Sequence, residues 1–271
     1  MEDYRSILIT GGGSGIGRAV ARRFSRGGYF VGLADLNEAG MAETGALLPE
    51  GTWSAHRLDV RDPDAWERVL ADFHEACGGR IDVLANNAGV PLGGKLADLS
   101  TEEIDRTLDV NLTGVIYGAR AAYPYLKAAA PGSCLVNTCS AAGLYGQGGM
   151  TIYCASKMGV RAITESLDIE WAADGIRVCD VMPSYIDTPL LQQSSHAKSN
   201  KPIRESVQNA GLEFTPVEEV AETFWRAVHG NQLHNPVGKT AKTVARAARW
   251  LPSYIRSRSR KLAEQGAKLM G

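Results

Sequence analysis

Short apolar runs recur along the chain and predict strands that are buried on both faces. The first two are Ser6 to Thr10, which a glycine cluster ends, and Tyr29 to Ala34. Further candidates lie at 54–60, 81–85, 133–138 and 176–182, with a last short one near 233–237. Continuous apolar runs of about four to eight residues between turn-forming residues are typical of a parallel sheet that helices cover.

Helix-length segments separate these strands. In the first, Ile16, Val20 and Phe24 recur at intervals of four, arginines occupy the other faces, and Gly27 and Gly28 end the segment. Other helical candidates cover 63–77, 101–129, 150–173 and 216–229. Regular alternation of strand and helix indicates an α/β protein whose parallel sheet has helices on both faces. Because no linker, repeat or low-complexity block interrupts the pattern, we expect a single domain over residues 1–238.

Residues 239–271 form a basic extension with its own helical pattern. They contain nine Lys or Arg and one acidic residue, a net charge of +8, so the rest of the chain has a net charge of −9. Pro252 divides two helix-like pieces, whose apolar residues are Val244, Ala248 and Leu251 and then Ile255, Leu262 and Leu269. We favour a helix packed on its own subunit or a neighbour over an interfacial helix drawn to anionic lipid. Nucleic acid binding is not expected, since no recognition motif is present.

Composition places the chain among ordinary globular proteins. Of its 271 residues, 44% are hydrophobic and 22% are charged, and no run approaches the roughly 18 apolar residues of a membrane-spanning helix. An acidic N-terminus leads directly into a strand, which leaves no room for a secretory signal and makes a cytoplasmic location the expectation. The five cysteines lack a Cys-x-x-Cys spacing and the five histidines are scattered. Neither a disulfide framework nor a metal site is therefore expected.

A glycine-rich turn joins the first strand to the first helix between Gly11 and Gly17. Glycines let the backbone approach a pyrophosphate, and the helix N-terminus presents free N–H groups to it, so this segment predicts a dinucleotide-binding unit. Asp35 ends the second strand, where an acid hydrogen-bonds the adenosine ribose. A carboxylate there repels a 2′-phosphate, and neither Ser14 nor Leu36 supplies a cation to hold one. The expected cofactor is NAD rather than NADP.

Polar and small residues follow the other predicted strands, at the end where ligands bind in open α/β sheets. They are Asp59, the series Asn86-Asn87-Ala88-Gly89, Ser140 and the pair Pro183-Ser184. Asn111 differs, because it lies within a long helical segment and is a poor helix former. It is either a solvent-facing polar residue or the mark of a bent or water-bearing helix that exposes a carbonyl to the site.

Tyr153 and Lys157 stand four residues apart in a predicted helix, which puts both side chains on one face. An ammonium about 4 Å from the phenol oxygen favours phenolate by about 4 kcal/mol and brings the pKa of the tyrosine toward neutrality. The tyrosine could then act as a base. Alone, such a pair is more often an ordinary surface pair, so its meaning depends on the rest of the chain.

Taken together, these motifs resemble those of the short-chain dehydrogenase/reductase family over nearly the whole chain. The shared series is Thr10-Gly-x-x-x-Gly15-x-Gly17, Asp35, Leu58-Asp59-Val60, Asn86-Asn87-Ala88-Gly89, Asn111, Ser140 and Tyr153-x-x-x-Lys157. The resemblance implies a Rossmann-type, doubly wound sheet of seven parallel strands and a catalytic tetrad of Asn111, Ser140, Tyr153 and Lys157. It further implies cofactor contacts at Gly11, Gly13, Ser14, Gly15, Ile16, Gly17, Asp35, Leu36, Asp59, Val60, Asn86, Asn87, Ala88, Gly89, Tyr153, Lys157, Pro183, Ser184, Ile186 and Thr188.

The resemblance also implies a division of labour in an NAD-dependent exchange between a secondary alcohol and a ketone. Tyr153 transfers the proton while hydride passes between the carbinol carbon and nicotinamide. Lys157 lowers the phenol pKa and binds the nicotinamide ribose, Ser140 orients the substrate oxygen, and Asn111 holds a water. The chain departs from the family's usual Pro-Gly pair, since Ser184 occupies the glycine position.

Substrate contacts are expected from Ala142 to Met150 and from Leu190 to Phe214, a segment that resembles the family's lid and includes the polar stretch Ser194 to Lys201. The candidate pocket residues are Ser140, Ala142, Tyr145, Met150, Tyr185, Leu190 and Leu191. They favour a bulky hydrophobic alcohol of steroid, aryl or lipid-like type, although the same residues could be core. Two alternatives stay open: an NADPH-dependent carbonyl or 3-oxoacyl-thioester reductase, which Asp35 opposes, and a dinucleotide-sensing scaffold without turnover.

A stripe of small residues, Ala155, Gly159, Ala162 and Ser166, runs along the predicted helix that carries Tyr153. Small residues permit close helix packing, as at the family's usual interface, so a homodimer or homotetramer is expected. Packing of the same stripe on the sheet is the alternative.

Overall fold

The computed structural model describes residues 5–192, 202–209, 213–257 and 259–260 and contains one seven-stranded parallel sheet. Its strands are β1 Arg5–Thr10, β2 Tyr29–Asp35, β3 Trp53–Arg57, β4 Val83–Asn86, β5 Cys134–Thr138, β6 Arg177–Met182 and β7 His234–Pro236. They lie in the order β3-β2-β1-β4-β5-β6-β7. The order reverses between β1 and β4, and a crevice for ligands forms at such a switch point. The predicted α/β fold, a doubly wound Rossmann-type sheet, is confirmed.

Helices connect successive strands and lie on both faces of the sheet. In the described part of the chain they are α1 Gly15–Arg26, α2 Glu38–Gly45, α3 Pro63–Ala76, α4 Thr101–Leu108, α5 Gly114–Ala128, α6 Thr151–Glu170, α7 Ile203–Asn209, α8 Val217–His229 and α9 Gly238–Trp250. A π turn, Asp109–Thr113, joins α4 to α5. This turn interrupts the single helix that the sequence predicts over 101–129.

The core has two layers because successive strand residues point to opposite faces. Ile7 and Ile9 of β1 pack with α1, α2 and α8, whereas Leu8 packs with α3 and α5. Trp66 of α3 is fully buried on the second face, and its Nε1 donates a hydrogen bond to the carbonyl oxygen of Val60 at 2.9 Å. Burial on both faces explains why the strands have nearly continuous apolar sequences.

The predicted strands all occur, with boundaries that differ by a few residues. The sequence misses α2, because its buried residues are Gly40, Met41, Thr44 and Gly45 rather than a recurring apolar stripe. Helix α7 lies within the segment predicted to form a lid. The polar stretch Ser194 to Lys201 lies outside the described residues.

The basic extension begins with α9, and the chain is helical again over 252–257. Ala241 is buried and Val244 and Ala248 are partly buried, so this face of α9 packs on its own chain. Leu251, predicted to share that face, is 57% exposed. The predicted apolar positions at 262 and 269 lie outside the described residues. Among the described helices, none is both long enough and apolar enough to cross a membrane.

Candidate active site

The glycine-rich turn folds back on itself between β1 and α1. Gly11 has a positive φ of 69°, and a Cβ placed on Gly17 would lie 2.1 Å from the carbonyl oxygen of Gly11. Glycine is required for so close an approach. Thr10 anchors the turn to the end of β4, because its Oγ1 accepts hydrogen bonds from the backbone N–H groups of Asn87 at 2.9 Å and Ala88 at 3.0 Å. The turn brings the N-terminus of α1 to the crevice at the switch point of the sheet.

Asp35 lies in the same crevice, at the end of β2. Its carboxylate accepts a hydrogen bond from the backbone N–H of Gly13 at 2.9 Å and another from that of Asn37 at 3.0 Å. These two bonds fix the side chain beside the glycine turn. Leu36, the next residue, is 50% exposed and also lines the crevice. A carboxylate and an apolar side chain therefore lie where the adenosine ribose of a dinucleotide is expected.

Asp59 and Val60 line the crevice just after β3. The guanidinium of Arg61 donates to both carboxylate oxygens of Asp59, at 2.6 and 2.9 Å. This hydrogen bonding lowers the pKa of Asp59 below its usual range. The carboxylate therefore stays ionised at neutral pH, in which form it can only accept hydrogen bonds from a ligand.

Tyr153 and Lys157 occupy one face of α6, one turn apart, as the sequence predicts. Lys157 is 4% exposed, and its Nζ donates a hydrogen bond to the carbonyl oxygen of Thr138 at 2.9 Å. The same nitrogen lies 5.9 Å from the centroid of the Tyr153 ring. Burial lowers the pKa of Lys157 to about 8. At neutral pH most of the ammonium persists, held by a backbone carbonyl at the inner end of the crevice.

The pKa of Tyr153 does not follow the expectation drawn from its spacing to Lys157. Although the side chain is partly exposed to the crevice, desolvation raises its pKa to about 12, and a hydrogen bond with Ser140 opposes that rise. The expected lowering is wrong for the protein alone, because burial disfavours the charged forms of both groups and the ammonium is directed at Thr138. At neutral pH the phenol keeps its proton.

Ser140 caps a short 3-10 turn beside Tyr153. Its Oγ accepts a hydrogen bond from the backbone N–H of Ala142 at 3.1 Å and donates to the carbonyl oxygen of Pro183 at 3.4 Å. These contacts fix the hydroxyl at the inner end of the crevice. The neighbouring Ser184 has a buried hydroxyl with no hydrogen-bond partner among the described residues. A buried hydroxyl without a partner lowers the stability of the fold by about 1–3 kcal/mol, a cost that glycine at this position would avoid.

Asn111 lies in the π turn and is fully buried, so its interpretation as a solvent-facing residue is wrong. Its Nδ2 donates to the carbonyl oxygen of Val90 at 2.9 Å, and its Oδ1 accepts from the N–H of Val90 at 2.8 Å. The interrupted helix agrees with the other interpretation. A Cβ on Gly89 would lie 3.2 Å from Asn111 Oδ1 and 3.8 Å from Lys157 Nζ. The two side chains therefore converge behind Gly89.

Most of the residues described so far line one crevice of about 1030 Å³. Of the predicted cofactor and substrate residues, its lining includes Gly11, Ser14, Gly15, Ile16, Asp35, Leu36, Asp59, Val60, Asn87, Ala88, Gly89, Ser140, Met150, Tyr153, Lys157, Pro183, Ser184, Tyr185, Ile186, Thr188, Leu190 and Leu191. The structure does not bring Gly13, Gly17, Asn86, Asn111, Ala142 or Tyr145 to this lining.

Most of the predicted residues outside the lining support the crevice from behind. Gly13 donates its N–H to Asp35. Asn86 is 3% exposed, and its Nδ2 donates to Oδ1 of Asn137 at 3.1 Å, which links β4 to β5. Ala142 is 2% exposed, with its N–H bound to Ser140. These contacts hold the walls of the crevice, and the ligand contacts of the same residues stay predictions.

One group of lining residues is missed by the sequence, and a second lies in the segment where substrate contacts are expected but is not among the named candidates. The segment from Val90 to Lys95 continues the loop after β4, and Ile203 and Val207 come from α7. The position of the first group after a strand end is a signal that could have found it. The four-residue spacing of the second group in a polar stretch is a helical apolar face and could have found that group too. With Leu191 they give the outer crevice an apolar wall.

Known proteins with similar sequences include dehydrogenases and oxidoreductases. The family described as short chain dehydrogenase matches residues 5–199. Meso-2,3-butanediol dehydrogenase of Serratia marcescens is 38% identical over 186 residues, which are 69% of this chain and 73% of that protein. The probable oxidoreductase EphD of Mycobacterium tuberculosis is 30% identical over 264 residues, 94% of this chain and 44% of EphD.

A solved structure with the same fold carries a dinucleotide. It is a short chain dehydrogenase/reductase from Burkholderia phymatum in complex with NAD, with a TM-score of 0.81 and 25% sequence identity. The match covers 94% of this chain and 95% of that one. The likeness therefore extends over the sheet and the crevice together.

Proposed function

This chain belongs to the short-chain dehydrogenase/reductase family, and on that premise we propose that it is an NAD-dependent oxidoreductase that interconverts a secondary alcohol and a ketone. One observation carries the proposal. The crevice that contains the glycine turn and Asp35 also contains Tyr153, Ser140 and Lys157. Groups suited to a dinucleotide and groups suited to proton transfer thus share one cavity.

The residues present fit a nicotinamide dinucleotide, the cofactor of this family. The close approach of Gly17 to Gly11 clears a cradle at the N-terminus of α1, where backbone N–H groups favour a pyrophosphate. Asp35 supports NAD over NADP, because its carboxylate would repel a 2′-phosphate and the adjacent Leu36 offers no cation. NAD in the related Burkholderia phymatum structure agrees with this choice.

Each residue at the inner end of the crevice has a distinct task. Hydride exchange with the carbinol carbon is the chemistry that a bound nicotinamide supplies. Tyr153 gives a proton to the substrate oxygen in reduction and takes it in oxidation. Ser140 orients that oxygen, because its own hydroxyl is fixed by backbone contacts. Lys157 favours the phenolate in oxidation, and Asn111 is a positioning residue that holds Val90 and the loop beside Lys157.

The pKa of Tyr153 in the protein without cofactor favours carbonyl reduction over alcohol oxidation at neutral pH. With a pKa of about 12, Tyr153 is protonated at neutral pH and is ready to donate to a carbonyl oxygen. Alcohol oxidation requires the phenol to lose its proton first. We therefore expect the rate of oxidation to rise with pH above neutrality. The same protonated phenol is the observation that favours the second candidate, a carbonyl or 3-oxoacyl-thioester reductase.

The substrate that fits the outer crevice best is a bulky hydrophobic secondary alcohol. Met150, Leu190 and Leu191 line it, as the sequence predicts, and Ile203 and Val207 extend the apolar wall. Burial of apolar substrate surface contributes about 25 cal/mol per Å². A steroid, aryl or lipid-like alcohol would bury more of that surface than a small diol.

The cofactor part of the proposal is tested by turnover with NAD and NADP in the wild type and in Asp35→Ser. We expect the wild type to prefer NAD by about tenfold or more in kcat/KM, and Asp35→Ser to reduce that preference. Glu50→Ser is the matched control, because Glu50 is an exposed acid outside the crevice. Activity with NADP alone would contradict the role given to Asp35.

The substrate part needs a panel of secondary alcohols at one fixed cofactor concentration. We expect kcat/KM to be highest for bulky apolar alcohols, because they contact the wall that Leu191 and Val207 form. Val207→Ser should lower kcat/KM for these alcohols more than for small diols. Turnover of small polar alcohols alone would rule out the bulky substrate class while leaving the oxidoreductase itself intact.

A further inference from the structure

Helix α9 and the short helical stretch after it present apolar side chains that the fold leaves uncovered. Trp250 is 72% exposed, Leu251 57% and Tyr254 56%. At 100° per residue, Trp250 lies about 180° around α9 from the buried Ala241, on the side away from the fold. An exposed group of large apolar side chains marks a surface for interaction.

Basic residues flank this apolar group along the chain. The exposed basic residues of the segment are Lys239, Lys242, Arg246, Arg249, Arg256 and Arg260. No acidic residue occurs between 239 and 260. Within the described ranges, one member of this set forms an ion pair: Lys242 Nζ lies 3.8 Å from the carboxylate of Glu219. The remaining positive charge is available to a partner.

The partner that combines these chemistries is an anionic lipid surface. Trp and Tyr favour the headgroup level of a bilayer, and Lys and Arg next to them are each worth about 1 kcal/mol against an anionic leaflet. Residues 1–238 carry a net charge of −9, so attraction to such a surface is concentrated in the basic segment that follows them. The charge distribution thus favours one orientation of the molecule, with this segment facing the lipid surface.

A second copy of the chain fits the same surface less well. Three partly exposed side chains supply roughly half of the approximately 800 Å² per partner that a stable protein interface buries. They lie at the end of α9 and in the short helical stretch after it. Insertion into a fluid headgroup layer needs neither a large area nor shape complementarity.

We propose that α9 with residues 251–257, 259 and 260, here called the basic patch, docks this protein on membranes that contain anionic phospholipid. The patch lies beside the active site, because α9 packs against the 3-10 turn Ala141–Gly143 that follows Ser140. The docking does not depend on the identity of the substrate. The sequence alone favours a helix packed on its own subunit or a neighbour, and the proposal adds a membrane contact on the exposed face of that helix.

Flotation with lipid vesicles tests the proposal on the full chain. Vesicles of phosphatidylcholine alone are compared with vesicles that contain phosphatidylserine as well. Two double variants remove the two halves of the patch: Trp250→Ser with Tyr254→Ser, and Arg246→Glu with Arg249→Glu. The matched controls are Leu47→Ser with Leu96→Ser, which are similarly exposed, and Arg22→Glu with Arg26→Glu, which change the net charge equally.

We expect binding to vesicles with phosphatidylserine, weakening with salt, and little binding to phosphatidylcholine alone. Each patch variant should bind about tenfold more weakly, whereas both controls should bind as the wild type does. Circular dichroism and light scattering check fold and mass for every variant. No flotation of the wild type, equal losses in the controls, or patch variants that change oligomeric mass but not flotation would each overturn the proposal.

Discussion

Lys157 illustrates at the scale of a residue how an active site lowers the stability of its own fold. Its pKa in the protein is about 8, against about 10.5 in an unfolded chain. A lysine with a lowered folded pKa costs stability below that pKa, and the cost disappears as the pH rises toward the unfolded value. For this largely buried group the cost at pH 7 is about 3 kcal/mol.

Lys157→Met should therefore raise the free energy of unfolding of the cofactor-free protein at pH 7. The gain should be about 1–2 kcal/mol, since the loss of the hydrogen bond to Thr138 offsets part of it. The gain should shrink as the pH rises from about 8 to 10, while turnover falls by about a hundredfold or more at all pH values. Urea unfolding over this pH range measures the effect. Lys239→Met, on an exposed lysine, is the control; a pH-independent gain would contradict the account.

The sequence predicts which residues form the site better than it predicts their protonation states. The four-residue spacing of Tyr153 and Lys157 in a helix is enough to place them on one face. Their pKa values depend on desolvation by β5 and the loops around it, which spacing alone does not contain. The same limit applies to Ser184, whose buried hydroxyl has no local sequence signal.

At the scale of elements, the edge strand β7 is held to its neighbours by a partly exposed ionic cluster around the buried Asp180. His234 Nδ1 lies 2.9 Å from Asp180 Oδ2 of β6, and its Nε2 lies 3.0 Å from Glu165 Oε1 of α6. Arg161 also donates to Glu165, at 2.8 Å. The hydrogen bond to Asp180 raises the pKa of His234, and burial raises that of Asp180. A strand of three residues thus depends on side chains for its attachment.

His234→Gln should lower the free energy of unfolding by about 1–3 kcal/mol, because it leaves the buried carboxylate of Asp180 with a weaker partner. A raised histidine pKa contributes stability below about pH 6.5 and loses it as the pH rises through the folded pKa. The difference from the wild type should therefore be largest in acid and smaller at higher pH. Denaturant unfolding between about pH 5 and 9 measures it, with His74→Gln as the control. A difference that grows with pH would refute this assignment.

Element prediction succeeds where burial leaves a periodic pattern and fails where other contacts hold the chain. The strands have apolar sequences on both faces, so the sequence finds them. Helix α2 is held instead by the cap that Asn37 provides to Gly40 and by Arg18, which donates to the Thr44 hydroxyl at 3.0 Å. The π turn at Asp109–Thr113 is equally hidden, because the contacts of Asn111 with Val90 are tertiary.

At the scale of the molecule, the small-residue stripe on α6 faces outward. Ala155, Ala162 and Ser166 are exposed, and Gly159 is partly buried against Leu112 of the π turn. The side toward the sheet consists of buried residues such as Val160 and Thr164. Packing of the stripe on the sheet is therefore wrong as an explanation. We propose instead that α6 packs on the same helix of a second copy, in a homodimer or homotetramer.

Ala162→Arg should then convert the oligomer to smaller species, because the side chain would enter the closest part of the helix contact. Size-exclusion chromatography with light scattering measures the mass. Ala173→Arg, an exposed alanine in the turn after α6, should leave the mass unchanged. A monomeric wild type, or an Ala162→Arg protein of unchanged mass, would be incompatible with this interface.

The central claim for the whole molecule is that one crevice brings NAD to Tyr153 for proton-coupled oxidation of an alcohol. The most direct test is Tyr153→Phe, with NADH formation from a secondary alcohol and the Kd for NAD measured on the same preparation. The account predicts a loss of about a thousandfold in kcat, because the proton acceptor is gone, with a Kd for NAD within about threefold of the wild type. A kcat within about tenfold of the wild type would contradict it.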